Sequence, residues 1–273
     1  MSYQTFLFEI QDRVAVITFN RPESMNAWNP RVGPELSRAL SVCDQDDEVR
    51  AVVITGQGRA FCAGAELSKE GDTWSSAQND RPEERLGFPS VQPWEIHKPV
   101  LAAINGHAIG VGITYAMSCD IRMVAENAKV QFAFVRRGII PELASHLIVS
   151  RVAGFSRAAD LLLTGRMVSG RELADLGLAS AALPAEQVLP ATLERAREFL
   201  KAAPVSVAIS KRLLWESLGV REMYRREVPL FIWTGNQPDA REGVDAFLEK
   251  RDPRWKMKVS RDLPDLLKER EIG

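Results

Sequence analysis

The chain has 273 residues, 45% hydrophobic and 26% charged, with a formal net charge of −1. That is enough apolar material for a sizeable buried core, and too even a charge balance for a protein whose main partner is nucleic acid or an anionic membrane. Cys43, Cys62 and Cys119 show no CxxC spacing, so neither a disulfide framework nor a zinc site is expected, and a reducing cytoplasm fits best. The N-terminal residues lack a basic stretch followed by a long apolar one, so no signal peptide is expected. No apolar run nears the roughly 20 residues of a membrane helix.

In chain order, apolar and β-branched runs at residues 14–19, 51–55, 99–105 and 120–125 predict buried strands, each closed by Gly, Asn or a charge. Between the first two, Asn29-Pro30 predicts a cap and first-turn proline for a helix running to about residue 43. Residues 71–85 are polar and predict a loop. A short buried helix is expected over 110–118. Ser169 and Glu172 have the spacing of a capping box, ahead of a helix ended by Gly177. Helical patterns follow at 191–202, 204–218 and 239–251, and strands are nearly absent after about residue 185. The alternation predicts an α/β core, residues 1–190, followed by a helical region, residues 191–273.

Two glycine-containing turns follow buried strands: Arg59-Ala-Phe-Cys-Ala-Gly-Ala-Glu-Leu67 and Asn105-Gly-His-Ala-Ile-Gly-Val-Gly112. Such turns ahead of a helix present unpaired N–H groups and a partial positive charge, which suits an anion. Taken singly, each is better explained as turn geometry. A dinucleotide fingerprint is excluded, because Gly56-Gln-Gly58 is followed by Phe61, and Gly110-Val-Gly112 by Tyr115, where the third small residue belongs. There is no P-loop.

Together with their surroundings, these turns resemble the crotonase (enoyl-CoA hydratase/isomerase) superfamily. The segments NRPESMNA, AVVITGQGRAFCAGAEL, KPVLAAINGHAIGVG, SCDIRMVAENAKVQF, GIIPELAS, LLLTGRMVSGRELADLGL and EGVDAFLEKRDPRW carry the resemblance, in the family's order over nearly the whole chain. It implies a spiral of ββα units followed by helices that trimerise, as a homotrimer or a hexamer of two trimers. It also implies an acyl-CoA thioester substrate, with coenzyme A as part of that substrate and not a tightly bound cofactor. The backbone N–H groups of Ala65 and Val111 would form an oxyanion hole. Ala27 and Ala63 match positions whose backbone contacts the CoA adenine, and Phe247 and Lys250 match C-terminal positions that reach CoA. A thioester enolate carries its charge on the carbonyl oxygen, and two prealigned donors would stabilise it.

The acid/base pattern departs from the two-glutamate hydratases of this family. Thr114 and Phe134 occupy those two positions, and neither side chain can shuttle a proton at neutral pH. Glu142, just after Ile140-Pro141, matches an acidic position in some Δ3,Δ2-enoyl-CoA isomerases. One carboxylate can take a proton from one carbon and return it to another. A Glu after Pro is also a common first-turn helix residue. Isomerisation is therefore expected, with one-acid hydration of 2-enoyl-CoA and a non-catalytic acyl-CoA-binding protein as alternatives. Trp28, Trp74, Phe88, Phe134 and Leu143 are apolar candidates for the acyl pocket. Arg136 and Arg137 are either a salt-bridged surface pair or part of that pocket. Glu66, Cys62, His97, His107 and His146 are expected in structural roles.

Overall fold

The computed structural model describes residues 2–67, 73 and 86–264. Its larger sheet has six strands: β1 (Phe6–Gln11), β2 (Val14–Phe19), β3 (Ala51–Gly56), β5 (Val100–Ile104), β7 (Ile121–Ala125) and β10 (Ala181–Leu183), in that spatial order. β1 and β2 form an antiparallel hairpin, and every later pairing is parallel. β3 and β5 are buried at every position. A parallel strand covered on both faces reads as a continuous apolar run, which is why these two were legible in the sequence.

A second sheet holds β4 (Ala60–Cys62), β6 (His107–Ile109), β8 (Lys129–Gln131) and β9 (Met167–Ser169). β3 leads to β4, β5 to β6 and β7 to β8, so each turn of the spiral contributes one strand to each sheet. These second strands are three residues long, too short for a period-2 pattern to register, so they were not expected from the sequence.

Helix α1 (Val32–Gln45) buries Val32, Leu36, Ala39, Leu40 and Cys43, one stripe at helical spacing. It starts later than predicted, because the Asn29 side chain accepts from the N–H of Arg31 in a turn ahead of the helix. α2 (Val111–Met117) is wholly buried. α3 (Ser145–Ala153) and α4 (Phe155–Thr164) follow. α5 (Gly170–Asp175) has the predicted cap, with the Ser169 hydroxyl accepting from Glu172 N–H at 3.1 Å. α6 (Ala185–Glu198) packs across β3, β5 and β7, and α7 (Pro204–Leu218) matches its predicted span. α8 (Val220–Gly235) was not predicted; α9 (Pro238–Leu248) and α10 (Val259–Asp262) complete the described chain. Among the described residues, no helix is long and apolar enough to cross a membrane. Apart from Thr73, the expected loop at 71–85, Trp74 included, lies outside the described residues.

Candidate active site

The two glycine-containing turns meet on the wall of one cleft of about 700 Å³. In the first, Trp28 N–H donates to the Gly64 carbonyl (2.7 Å) and Glu66 N–H to the Trp28 carbonyl (2.8 Å). This parallel bridge uses the residues on either side of Ala65, so the N–H of Ala65 itself points away from Trp28. In the second turn, Gly110 has φ 53° and ψ −123°, a conformation closed to L side chains. Val111 opens α2, where an N–H has no partner within the helix. A Cβ on Gly112 would lie 2.3 Å from the Cys62 carbonyl oxygen, so glycine there is what lets the two turns approach. Ala65 and Val111 both line the cleft.

Glu142 lies on the same cleft, 1% exposed. Its Oε1 accepts from the Thr114 hydroxyl at 2.5 Å, and its Oε2 has no hydrogen-bond partner among the described residues. Burial pushes the carboxyl up to about 8, against the Thr114 hydrogen bond and with the charge of Glu227 adding to the rise. The backbone then turns sharply, with Leu143 and Ala144 both left-handed at φ 57° and 56°. Glu227 of α8 holds that turn. Its carboxylate accepts from the N–H of Ala144 (2.5 Å) and of His146 (3.2 Å), and bonds the His146 ring at 2.6 Å. A residue 81 positions away in sequence thus caps α3, whose own N-cap Ala144 has no side-chain bond to offer.

Thr114 and Phe134 stand beside Glu142 and on the cleft wall, respectively. Trp28 and Phe88 also line it, whereas Leu143 is buried elsewhere in the core. Phe231 of α8 lines it too and packs edge-on against Phe88 and Phe134. Neither Phe231 nor its helix was expected from the sequence. The stripe Val220, Met223, Glu227, Phe231 has helical spacing, but a glutamate at a buried position and Pro229 inside the helix obscure it.

Of the four residues expected at CoA, Ala63 lines the cleft and Phe247 stands at its rim, 51% exposed. Lys250 lies with Phe247 on an adjoining surface groove. Ala27 is outside the cleft lining; its N–H donates to Ser24 and its carbonyl accepts from the Arg21 guanidinium at 2.9 Å. The two arginines divide. Arg136 is exposed and donates to the Thr164 carbonyl, while Arg137 lines the cleft. Neither is in a salt bridge among the described residues.

The remaining candidates are structural. Glu66 pairs with Arg21 at 3.0 Å, His97 with Asp44 at 2.8 Å, and the His107 ring accepts from Lys129 N–H. Cys62 is fully buried and its thiol is pushed up to about 12 by burial, so it carries no thiolate at neutral pH.

An apolar cleft with two main-chain donors and one proton-binding carboxyl is equipment for proton transfer next to a carbonyl. The chain belongs to the enoyl-CoA hydratase/isomerase family, whose model matches residues 9–258. The enoyl-CoA hydratase ACTT3 of Alternaria alternata is 37% identical over 247 residues, 89% of this chain and 83% of its own. Among solved structures, an enoyl-CoA hydratase/isomerase from Pseudoalteromonas atlantica superposes with a TM-score of 0.82 at 31% identity, covering 93% of this chain and 100% of that one. A carnitinyl-CoA hydratase from Mycobacterium avium gives 0.82 at 33% identity, covering 93% and 99%. The fold is that of this family, and the protein is an enzyme of the hydratase/isomerase type acting on an acyl-CoA.

Proposed function

We propose that the protein is a Δ3,Δ2-enoyl-CoA isomerase with Glu142 as its acid/base. The observation that carries this reading is that Glu142 is the one buried carboxyl on the cleft among the described residues, with Thr114 and Phe134 at the two positions where the two-glutamate chemistry needs its carboxylates. The thioester oxygen of a 3-enoyl-CoA sits between the N–H groups of Ala65 and Val111. Ionised Glu142 takes a proton from C2. The electron pair moves into a dienolate whose charge falls on the thioester oxygen, and each backbone donor there is worth about 3 kcal/mol to the transition state. The protonated carboxyl then returns the proton at C4, which leaves the double bond between C2 and C3. A carboxyl titrating at about 8 suits both halves. The reaction needs no cofactor beyond the coenzyme A of its substrate.

A second reading is hydration of 2-enoyl-CoA with Glu142 as the only acid. The relative named enoyl-CoA hydratase supports it, as does the Thr114 hydroxyl bonded to Glu142, which offers a polar contact for a water. Absorbance assays with 3-enoyl-CoA and 2-enoyl-CoA, on the parent and on Glu142→Gln, separate the readings. Conjugation of the 3-enoyl substrate that falls at least about 100-fold in the variant is the expected result. Loss of 2-enoyl absorbance means the hydratase. Near-normal turnover by Glu142→Gln would remove Glu142 from the mechanism, and silence of the parent despite tight binding would leave a binding protein.

A further inference from the structure

Arg137 is the only cation on the cleft among the described residues, and Glu142 the only carboxyl. The arginine is half-buried, with its guanidinium over the face of Phe247, 3.8 Å from the ring centroid. One of its amino groups donates to the Arg136 carbonyl at 3.2 Å. No carboxylate pairs with it among the described residues, whereas Arg251 meets Glu242 and Glu249, and Arg166 meets Asp160 and Glu172. Burial, and then the charge of Arg136, lower its pKa to about 10. Glu142 is not its counter-ion: no ion pair joins the two, and the carboxyl bonds the Thr114 hydroxyl instead.

A guanidinium drawn out of water with no anion beside it is unfavourable unless something arrives to pair with it. Its planar fork keeps donors available for a bidentate contact when its face lies on an aromatic ring. The short turn Phe134–Arg137 that carries it is packed by α9, and its neighbours Phe134 and Ile139 line the same cleft.

We propose that Arg137 is an anion subsite of the acyl cleft, so that the acyl group this enzyme takes carries a carboxylate of its own. This rests on the reading of the cleft as the acyl-CoA site. The other source of an anion is a phosphate of coenzyme A. The adjoining groove, which Arg137 also borders, offers Arg136 and Lys250 for that purpose, and of these cations only Arg137 lines the acyl cleft as well.

Calorimetric titration with saturated acyl-CoAs tests this without relying on turnover. Succinyl-, glutaryl- and adipoyl-CoA are each compared with the plain acyl-CoA of the same length and with free coenzyme A, on the parent, Arg137→Leu and Arg137→Lys. Thermal melts confirm that the variants fold. The expected result is that the parent binds at least one carboxylated thioester about tenfold or more tighter than its plain counterpart. Arg137→Leu then removes the preference and leaves free coenzyme A unaffected, and Arg137→Lys keeps part of it. A preference unchanged in Arg137→Leu overturns the proposal. So does an equal loss for all ligands including free coenzyme A, which would make Arg137 a phosphate contact. Parent binding with no carboxylate preference overturns this inference alone, while no binding of any thioester overturns the acyl-CoA reading with it.

Discussion

Glu142 is a carboxyl whose chemistry is set by two opposed neighbours. Burial raises its proton affinity, the Thr114 hydroxyl, bonded to the ionised form, pulls it back, and the balance lies at about 8. In the proposed isomerisation proton removal from the substrate requires the carboxylate, so kcat/KM should rise with pH and level off above about 8. Thr114→Val deletes the donor that favours the charged form. The acid limb of the variant therefore moves to higher pH, by up to about one unit. A pH profile that does not move would show that Thr114 leaves the ionisation of Glu142 alone.

At the scale of elements, the turn that carries Glu142 depends on a helix far away in sequence. α3 begins at a residue with no capping side chain, directly after two left-handed residues, and α8 supplies the missing acceptor through Glu227. Removing that carboxylate leaves the buried Ala144 N–H, the part-buried His146 N–H and the His146 ring without it. Glu227→Ala should lower stability by about 2–4 kcal/mol in urea unfolding. Because the same turn holds Glu142, kcat should fall more than KM rises. A variant that loses stability yet keeps its kcat would confine Glu227 to a capping role.

For the whole molecule, the expected homotrimer, or dimer of trimers, is a proposal supported by exposed apolar side chains. Val205, Ile209, Leu213 and Leu214 on α7 are 56–69% exposed, and Phe155 of α4 is 83% exposed. Faces of this kind mark subunit contacts more often than free surface. Light scattering should give three or six times the 30.4 kDa chain mass. A monomer at micromolar concentration would refute the assembly, and Leu213→Asp should weaken it if α7 lies in the contact.

The sequence by itself determined the parallel core, because strands buried on both faces, such as β3 and β5, must be apolar throughout. It also determined the two turns, since Gly110 and Gly112 answer to local backbone conformation and close approach. Glu142 was legible as a candidate through the family resemblance, which puts an acid just after Ile140-Pro141. Its proton affinity was not, because desolvation depends on everything packed around it. The helix α8 was hidden by Glu227, a charged residue at a buried position that makes sense only beside α3, and Phe231 was hidden with it. Only the tertiary structure decided that Arg137 faces the cleft and Arg136 does not. Two adjacent arginines are alike in sequence, and the packing of α9 against their short turn puts the one over Phe247 and the other out at the surface.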